Sequence, residues 1–470
     1  MREQILRSQR VCLPGAADPV PASIWVRDGK IFRILQGGEE LPTGILVLDF
    51  GDRVILPGIV DTHAHINEPG RTEWEGFETA TRAAAAGGIT TVIDMPLNSI
   101  PATTTLDALK IKAATAQDRC QIDYGFWGGV VPGNAAEILP MVEAGVFGFK
   151  VFLCPSGVDE FPMVEEQDLR RAMPILARAG VPLIVHAELE SSHSGAAGEP
   201  ATADFGGDSR KYQTYLKSRP QQWEVNAIRM MIGLARETGC RTHIVHLSAA
   251  DAIDDLSRAR AEGVPITAET CPHYLSFTAE EISDGATHFK CAPPIREKAN
   301  REKLWQALKR GDIEFVVSDH SPCTPGLKLL EAGDFSRAWG GIAGLQFGLS
   351  VVWTGMKERG LTIADLTRWM SENTARFLGL SARKGAIAPG MDADLVIFDP
   401  DSASVVEASQ VLHRHALTPY SGRTLLGRVE KTFLRGQCIF DLALGDLSEP
   451  SPSGERLVRP RTEFQKGSSA

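Results

Sequence analysis

Between about Val54 and Leu380 the chain alternates short apolar runs with stretches whose apolar residues recur every 3.6 positions, and eight such pairs follow one another. The apolar runs end at His65, Asp94, Val130, Leu153, His186, His246, Thr270 and Ser318. Helical spacing is clearest over Glu166–Ala179, Trp223–Thr238 and Asn300–Lys309, and Gly180, Gly239 and Gly263 stand where a left-handed residue would close a helix. Eight strand–helix units in one run predict an α/β fold, a (β/α)8 TIM-like barrel over residues 57–384, with functional groups at the carboxyl ends of its strands.

The two ends of the chain follow a different pattern. Ser23–Ile31 places an Asp28-Gly29 turn between two strand-like halves, a hairpin signal. Ala393–Phe398 and Val429–Gly436 are strand-like as well. Residues 1–56 and 385–450 are therefore expected to combine into one small β-sandwich domain, and 451–470 to form a flexible tail. Ser194–Gly207, rich in Gly, Ala and Pro, is expected to be a mobile loop, either a plain connector or a lid; Pro325–Gly340 is a second long loop.

Charge and cysteine usage exclude several classes. Lys and Arg number 49 against 59 Asp and Glu, a net charge of −10 with no basic block, which argues against a nucleic-acid partner. No run of eighteen apolar residues suggests a membrane span, and the N-terminus lacks a secretory signal, so a cytoplasmic location is expected, with an organelle left open as the alternative. Eight scattered cysteines without a Cys-x-x-Cys pair fit reduced thiols.

At the strand ends one constellation dominates. His63 and His65 close the first strand and, being two apart, project to the same side. Lys150 lies in the fourth strand, His186 ends the fifth, His246 the sixth, and Asp319 follows the eighth. Four imidazoles and a carboxylate converging at one barrel mouth point to a divalent-metal site. Lys150 lies within the apolar run Phe147–Leu153, where burial beside cations favours a neutral amine. Such an amine can add carbon dioxide to give a carbamate able to bridge two metal ions. The alternative is a lysine whose stem packs beneath the barrel while its head reaches solvent. Asp61 is left with two roles, orienting a histidine from behind or shaping a turn.

These stretches resemble the cyclic amidohydrolases, and among them the allantoinases. The likeness runs through Pro57–Gly70, Gly87–Thr91, Met95–Asn98, Gly148–Lys150, Val185–Glu188, Val245–Ser248, Thr270–Tyr274, Lys290–Arg296, Ser318–Cys323, Gly385–Asp394 and Thr418–Tyr420. It implies that His63, His65 and Asp319 hold one metal and His186 and His246 another, with Lys150 as N6-carboxylysine between them. Zinc is the implied pair, with cobalt, manganese or iron as alternatives. The implied reaction opens the ring of allantoin, a small molecule, to allantoate in purine catabolism, and the implied assembly is a homotetramer or dimer. Metal binding can lower the pKa of water from about 15.7 toward about 7, roughly 12 kcal/mol in forming hydroxide. Asp319 would then act as base and acid.

Related enzymes set the competing expectations. Dihydroorotases carry an arginine two residues after the second histidine; here that position is Asn67, which cannot grip a carboxylate in bidentate fashion but can hydrogen-bond a ureido group. Hydantoinases and dihydropyrimidinases place a tyrosine five residues after the bridging lysine, where this chain has Pro155. The likeness also suggests substrate contacts at Asn98, His273, Ala292 and Ala343, with a supporting role for His273 as its alternative. A scaffold protein of the same superfamily would have lost metal ligands, and all six positions are filled here.

Overall fold

The computed structural model describes residues 3–36, 39–190, 206–445 and 453–460. Apart from its last two residues, the segment Ser194–Gly207 lies outside them. The chain opens with five strands: β1 (Glu3–Val11), β2 (Val20–Arg27), β3 (Lys30–Leu35), β4 (Leu46–Asp49) and β5 (Val54–Pro57). The β2–β3 hairpin turns through Asp28 and Gly29, whose φ angles of 49° and 79° are the left-handed pair that a two-residue hairpin loop requires.

Nine strands then build the barrel: β6 (Ile59–Ala64), β7 (Ile89–Asp94), β8 (Asp123–Phe126), β9 (Gly128–Gly129), β10 (Phe149–Phe152), β11 (Leu183–His186), β12 (Thr242–Ile244), β13 (Ile266–Thr270) and β14 (Phe315–Val316). All neighbouring pairs are parallel and nearly every residue is buried, as expected of strands covered on both faces. β8 and β9 are one stave broken at Trp127: β8 pairs with β7, β9 with β10, and the Trp127 indole donates to the Thr62 carbonyl at 2.8 Å. His320, beyond β14, bridges to Ala64, and His65 N donates to the His320 carbonyl at 2.7 Å, closing the circuit of eight. Outside it, the helix Glu166–Ala179 opens on a capping box of Glu165 with Asp168 and stops at Gly180, and Gln221–Thr238 stops at Gly239.

The C-terminal strands β15 (Leu395–Val405), β16 (Thr424–Leu434) and β17 (Gln437–Asp441) return to the N-terminal ones through β5, with Leu395 opposite Pro57 and Ile397 opposite Ile55. The hydrogen bonds of this small β domain, built from both chain ends, run through one mixed eight-stranded sheet, ordered β17-β16-β15-β5-β1-β2-β3, with β4 also on β1. The long β1 makes this possible: Gln4–Arg7 pair with β4, while Arg10 and Val11 pair with β5. Leu6, Ile24 and Ile31 share one apolar cluster with Leu395, Ile397 and Phe433, while Val54, Leu56, Val396 and Phe398 on alternate positions join the large main cluster.

Lys384 ties this sheet to the barrel floor. Its ammonium lies 2.6 Å from carboxylate oxygens of Asp123 and Asp394 and 3.0 Å from Asp392, all buried. Residues 453–460, within the stretch expected to fray, lie against the same end of the barrel: Tyr124 N donates to Glu455 O, Leu457 N donates to Tyr124 O, and Leu457 is buried. The apolar Leu457 and the guanidinium of Arg459, which donates to the Ala179 and Gly180 carbonyls at the end of a helix, give that segment its anchor. No helix among the described residues is long and apolar enough to cross a membrane.

Candidate metal centre

The staves deliver their end residues to one place. β6 carries His63 and is followed by His65; β10 carries Lys150; β11 ends in His186; His246 and Asp319 follow β12 and β14 by two and three residues. All six are buried. His63 Nε2 lies 3.2 Å and His65 Nε2 3.7 Å from Asp319 Oδ1, so these three offer ligand atoms to a common point. The His63 ring centroid is 5.3 Å from that of His246, which meets His186 edge-on at 4.6 Å. His246 and Asp319 both take left-handed backbone conformations, with φ of 40° and 44°, a strain characteristic of functional sites.

Burial sets the protonation states. It lowers the His63 pKa to about 4, with Glu269 opposing the drop, and pushes His65, His186 and His246 down as well. Neutral imidazole, the form that binds metal, is thus favoured throughout. Burial likewise drives the Lys150 pKa down, against the pull of Asp319 and Glu269. Lys150 Nζ, His63 Nε2 and His246 Nδ1 are buried with no hydrogen-bond partner among the described residues. Orphaned polar atoms of this kind are costly unless another group completes them, and the donor set of imidazoles, a carboxylate and an amine suits divalent transition metals.

Behind the ligands stand residues that the sequence pattern did not single out. Glu269 accepts from His63 Nδ1 at 2.5 Å and His243 Nε2 at 3.2 Å; burial would raise its carboxyl pKa, but the two imidazoles hold it at about 2. Glu188 meets His186 Nε2 at 2.7 Å and is gripped by both ends of the Arg219 guanidinium at 2.9 and 2.6 Å. The available signal was alternation: Thr267 and Glu269, like His186 and Glu188, are two apart and share a side. Among the described residues no hydrogen bond or ion pair joins the Asp61 carboxylate to an imidazole. That carboxylate accepts from the backbone amides of His63 at 2.9 Å and Ser318 at 3.0 Å, locking together the two strand ends that bear ligands.

Above the cluster opens a cavity of about 910 Å³. Asn98 and Ala292 line it, as does Pro155. Asn67, His273 and Ala343 are buried residues outside that lining. Asn67 donates to the Pro322 carbonyl at 3.2 Å and accepts from Asn98 Nδ2 at 3.1 Å, so its amide is occupied within the protein. His273 offers a ring nitrogen within 4.8 Å of an Asp319 oxygen, and neither of its nitrogens has a hydrogen-bond partner among the described residues. Asp123, Asp392 and Asp394 form another acidic cluster, but Lys384 already occupies its centre.

The chain is similar to known proteins along nearly its whole length. The amidohydrolase family model matches residues 54–439. An allantoinase of Streptomyces avermitilis is 50% identical over 448 residues, covering 95% of this chain and 97% of that protein. An allantoinase of Saccharomyces cerevisiae is 44% identical over 466 residues, covering 97% and 99%. Among solved structures, the L-hydantoinase of Arthrobacter aurescens superposes with a TM-score of 0.89 at 31% identity, over 98% of this chain and all of that one. With a candidate metal-ligand cluster at the barrel mouth and likeness along nearly its whole length, the chain belongs to the metal-dependent amidohydrolase family and groups there with the allantoinases.

Proposed function

We propose that the chain hydrolyses the cyclic amide of allantoin to allantoate, and that His63, His65 and Asp319 hold one divalent metal ion, His186 and His246 a second, with Lys150 between them as the carbamate. The observation that carries this reading is that His65, Lys150, His186, His246 and Asp319 line one cavity, with His63 buried 3.2 Å from Asp319, in a chain 50% identical to an allantoinase. The unpaired, desolvated amine of Lys150 is the form that adds carbon dioxide, releasing one proton. Zinc suits the imidazole and carboxylate donors. A homo-oligomer accords with the family likeness.

When bound, the metal pair supplies a water acidic enough to ionise near neutral pH and withdraws electrons from the ring carbonyl. Asp319, 3.2 Å from His63 Nε2, is placed to take the proton of the attacking water and hand it to the departing ring nitrogen as the carbon–nitrogen bond breaks. Asn98 and the Ala292 backbone, both on the wall, orient the ring and its ureido arm. Asn67 acts through Asn98, fixing the amide that faces the cavity.

Metal-loaded protein assayed with allantoin, dihydroorotate and unsubstituted hydantoin tests the proposal. Turnover should be highest with allantoin by at least tenfold. Preference for either other ring would replace the substrate assignment, and no turnover of any would remove the reaction.

A further inference from the structure

The two proposed metal positions are supported by different side chains, and one support is a charged chain that reaches across the barrel rim. His186 is stacked on Phe152, ring centroids 4.5 Å apart, and gives its Nε2 to Glu188 at 2.7 Å, which leaves Nδ1 as its metal-facing nitrogen. Glu188 is fully buried and held by the Arg219 guanidinium through both oxygens. The Arg219 carbonyl accepts from Arg296 at 3.2 Å, and Arg296 reaches Glu224 at 2.6 and 3.2 Å. Glu224 Oε2 then accepts from the backbone amides of Ser248 at 3.0 Å and Ala249 at 2.9 Å, two and three residues beyond His246. One end of the chain thus fixes His186 and the other fixes the strained backbone that carries His246.

The ligands of the other position lean on another set. His63 is oriented by Glu269, His65 by the Leu97 carbonyl at 3.0 Å, and the two strand ends by Asp61. The side-chain hydrogen bonds of the two sets share no residue.

We propose that Glu188, Arg219, Arg296 and Glu224 form a brace that controls occupancy of the metal position at His186 and His246, without setting affinity at His63, His65 and Asp319. The proposal rests on the dinuclear reading given above. Arg219 and Glu224 act as positioning residues. Removing the Arg219 guanidinium leaves Glu188 a buried carboxylate without the two-pronged grip that aims it, free to turn from His186, and the imidazole loses its fixed orientation. Glu224→Gln acts at the far end: its amide cannot match a carboxylate that serves Arg296 and two backbone amides at once.

The test is zinc stoichiometry of the full-length protein equilibrated in zinc-buffered solutions, with anomalous diffraction locating each ion. Wild-type protein should bind two ions per subunit. Arg219→Met and Glu224→Gln should retain the ion at His63, His65 and Asp319 but bind the other about 10–100-fold more weakly, with occupancy and turnover restored by excess zinc. Arg219→Lys, which keeps a cation but loses the two-pronged grip, should fall between and serves if the larger change prevents folding. Equal weakening of both positions, or unchanged affinity at both, would overturn the brace. Fewer than two ions in the wild type would instead overturn the dinuclear reading.

Discussion

Asn98 donates its side-chain amide to Asn67 Oδ1 at 3.1 Å, so the residue at the position that separates this chain from dihydroorotases reaches the cavity only through its neighbour. Asn67 also takes a left-handed backbone conformation, φ 66°, which asparagine tolerates better than most residues. Its selectivity is therefore a matter of what it holds in place.

Asn67→Arg is the direct check. The longer cation has no room between Pro322 and Asn98 and must displace the latter from the wall. Allantoin turnover should drop at least tenfold while metal content changes little, as read by steady-state kinetics and elemental analysis of the same preparation. Full turnover would remove position 67 from substrate selection.

Asp319→Asn separates proton transfer from ligation. The amide keeps an oxygen near His63 and His65 but cannot carry the proton between water and leaving nitrogen. A loss of about 10²–10⁴ in kcat is expected, with at least one metal ion per subunit retained. Near-normal kcat would exclude Asp319 as the proton carrier.

Glu269→Gln weakens the other support. The His63 Nδ1 contact at 2.5 Å becomes a neutral hydrogen bond, and His243 loses its charged acceptor. Metal affinity at His63, His65 and Asp319 should fall about 10–100-fold. A metal titration with unchanged affinity would show that strand geometry alone orients His63.

Lys384→Met addresses the barrel floor, away from the chemistry. It leaves Asp123, Asp392 and Asp394 close together and buried, with Arg435 still on Asp123 at 2.6 Å. Breaking a buried ion network in this way costs about 3–5 kcal/mol. Urea unfolding should register a loss of that size; a change under about 1 kcal/mol would mean that Arg435 and protonation of the acids suffice.

Pattern along the chain was enough for the barrel and for picking out the six candidate ligands. Strand–helix alternation needs only local periodicity, and His63, His65, Lys150, His186, His246 and Asp319 stand out because each lies at or near the end of an apolar run. The hairpin at Asp28-Gly29 and the helix stop at Gly180 were legible for the same reason, since backbone conformation there depends on the residues themselves. Partnerships between distant residues were not. Glu269 finds His63 across 206 positions, and Arg296 finds Glu224 across 72. Leu457 and Arg459 anchor a stretch that its place near the chain end marks for fraying. The sequence by itself determined which side chains were candidates for binding metal and that they would stand at or near strand ends. Only the tertiary structure decided which carboxylate orients which imidazole and which asparagine faces the cavity, because those choices depend on distances and burial that exist only once the staves are packed side by side.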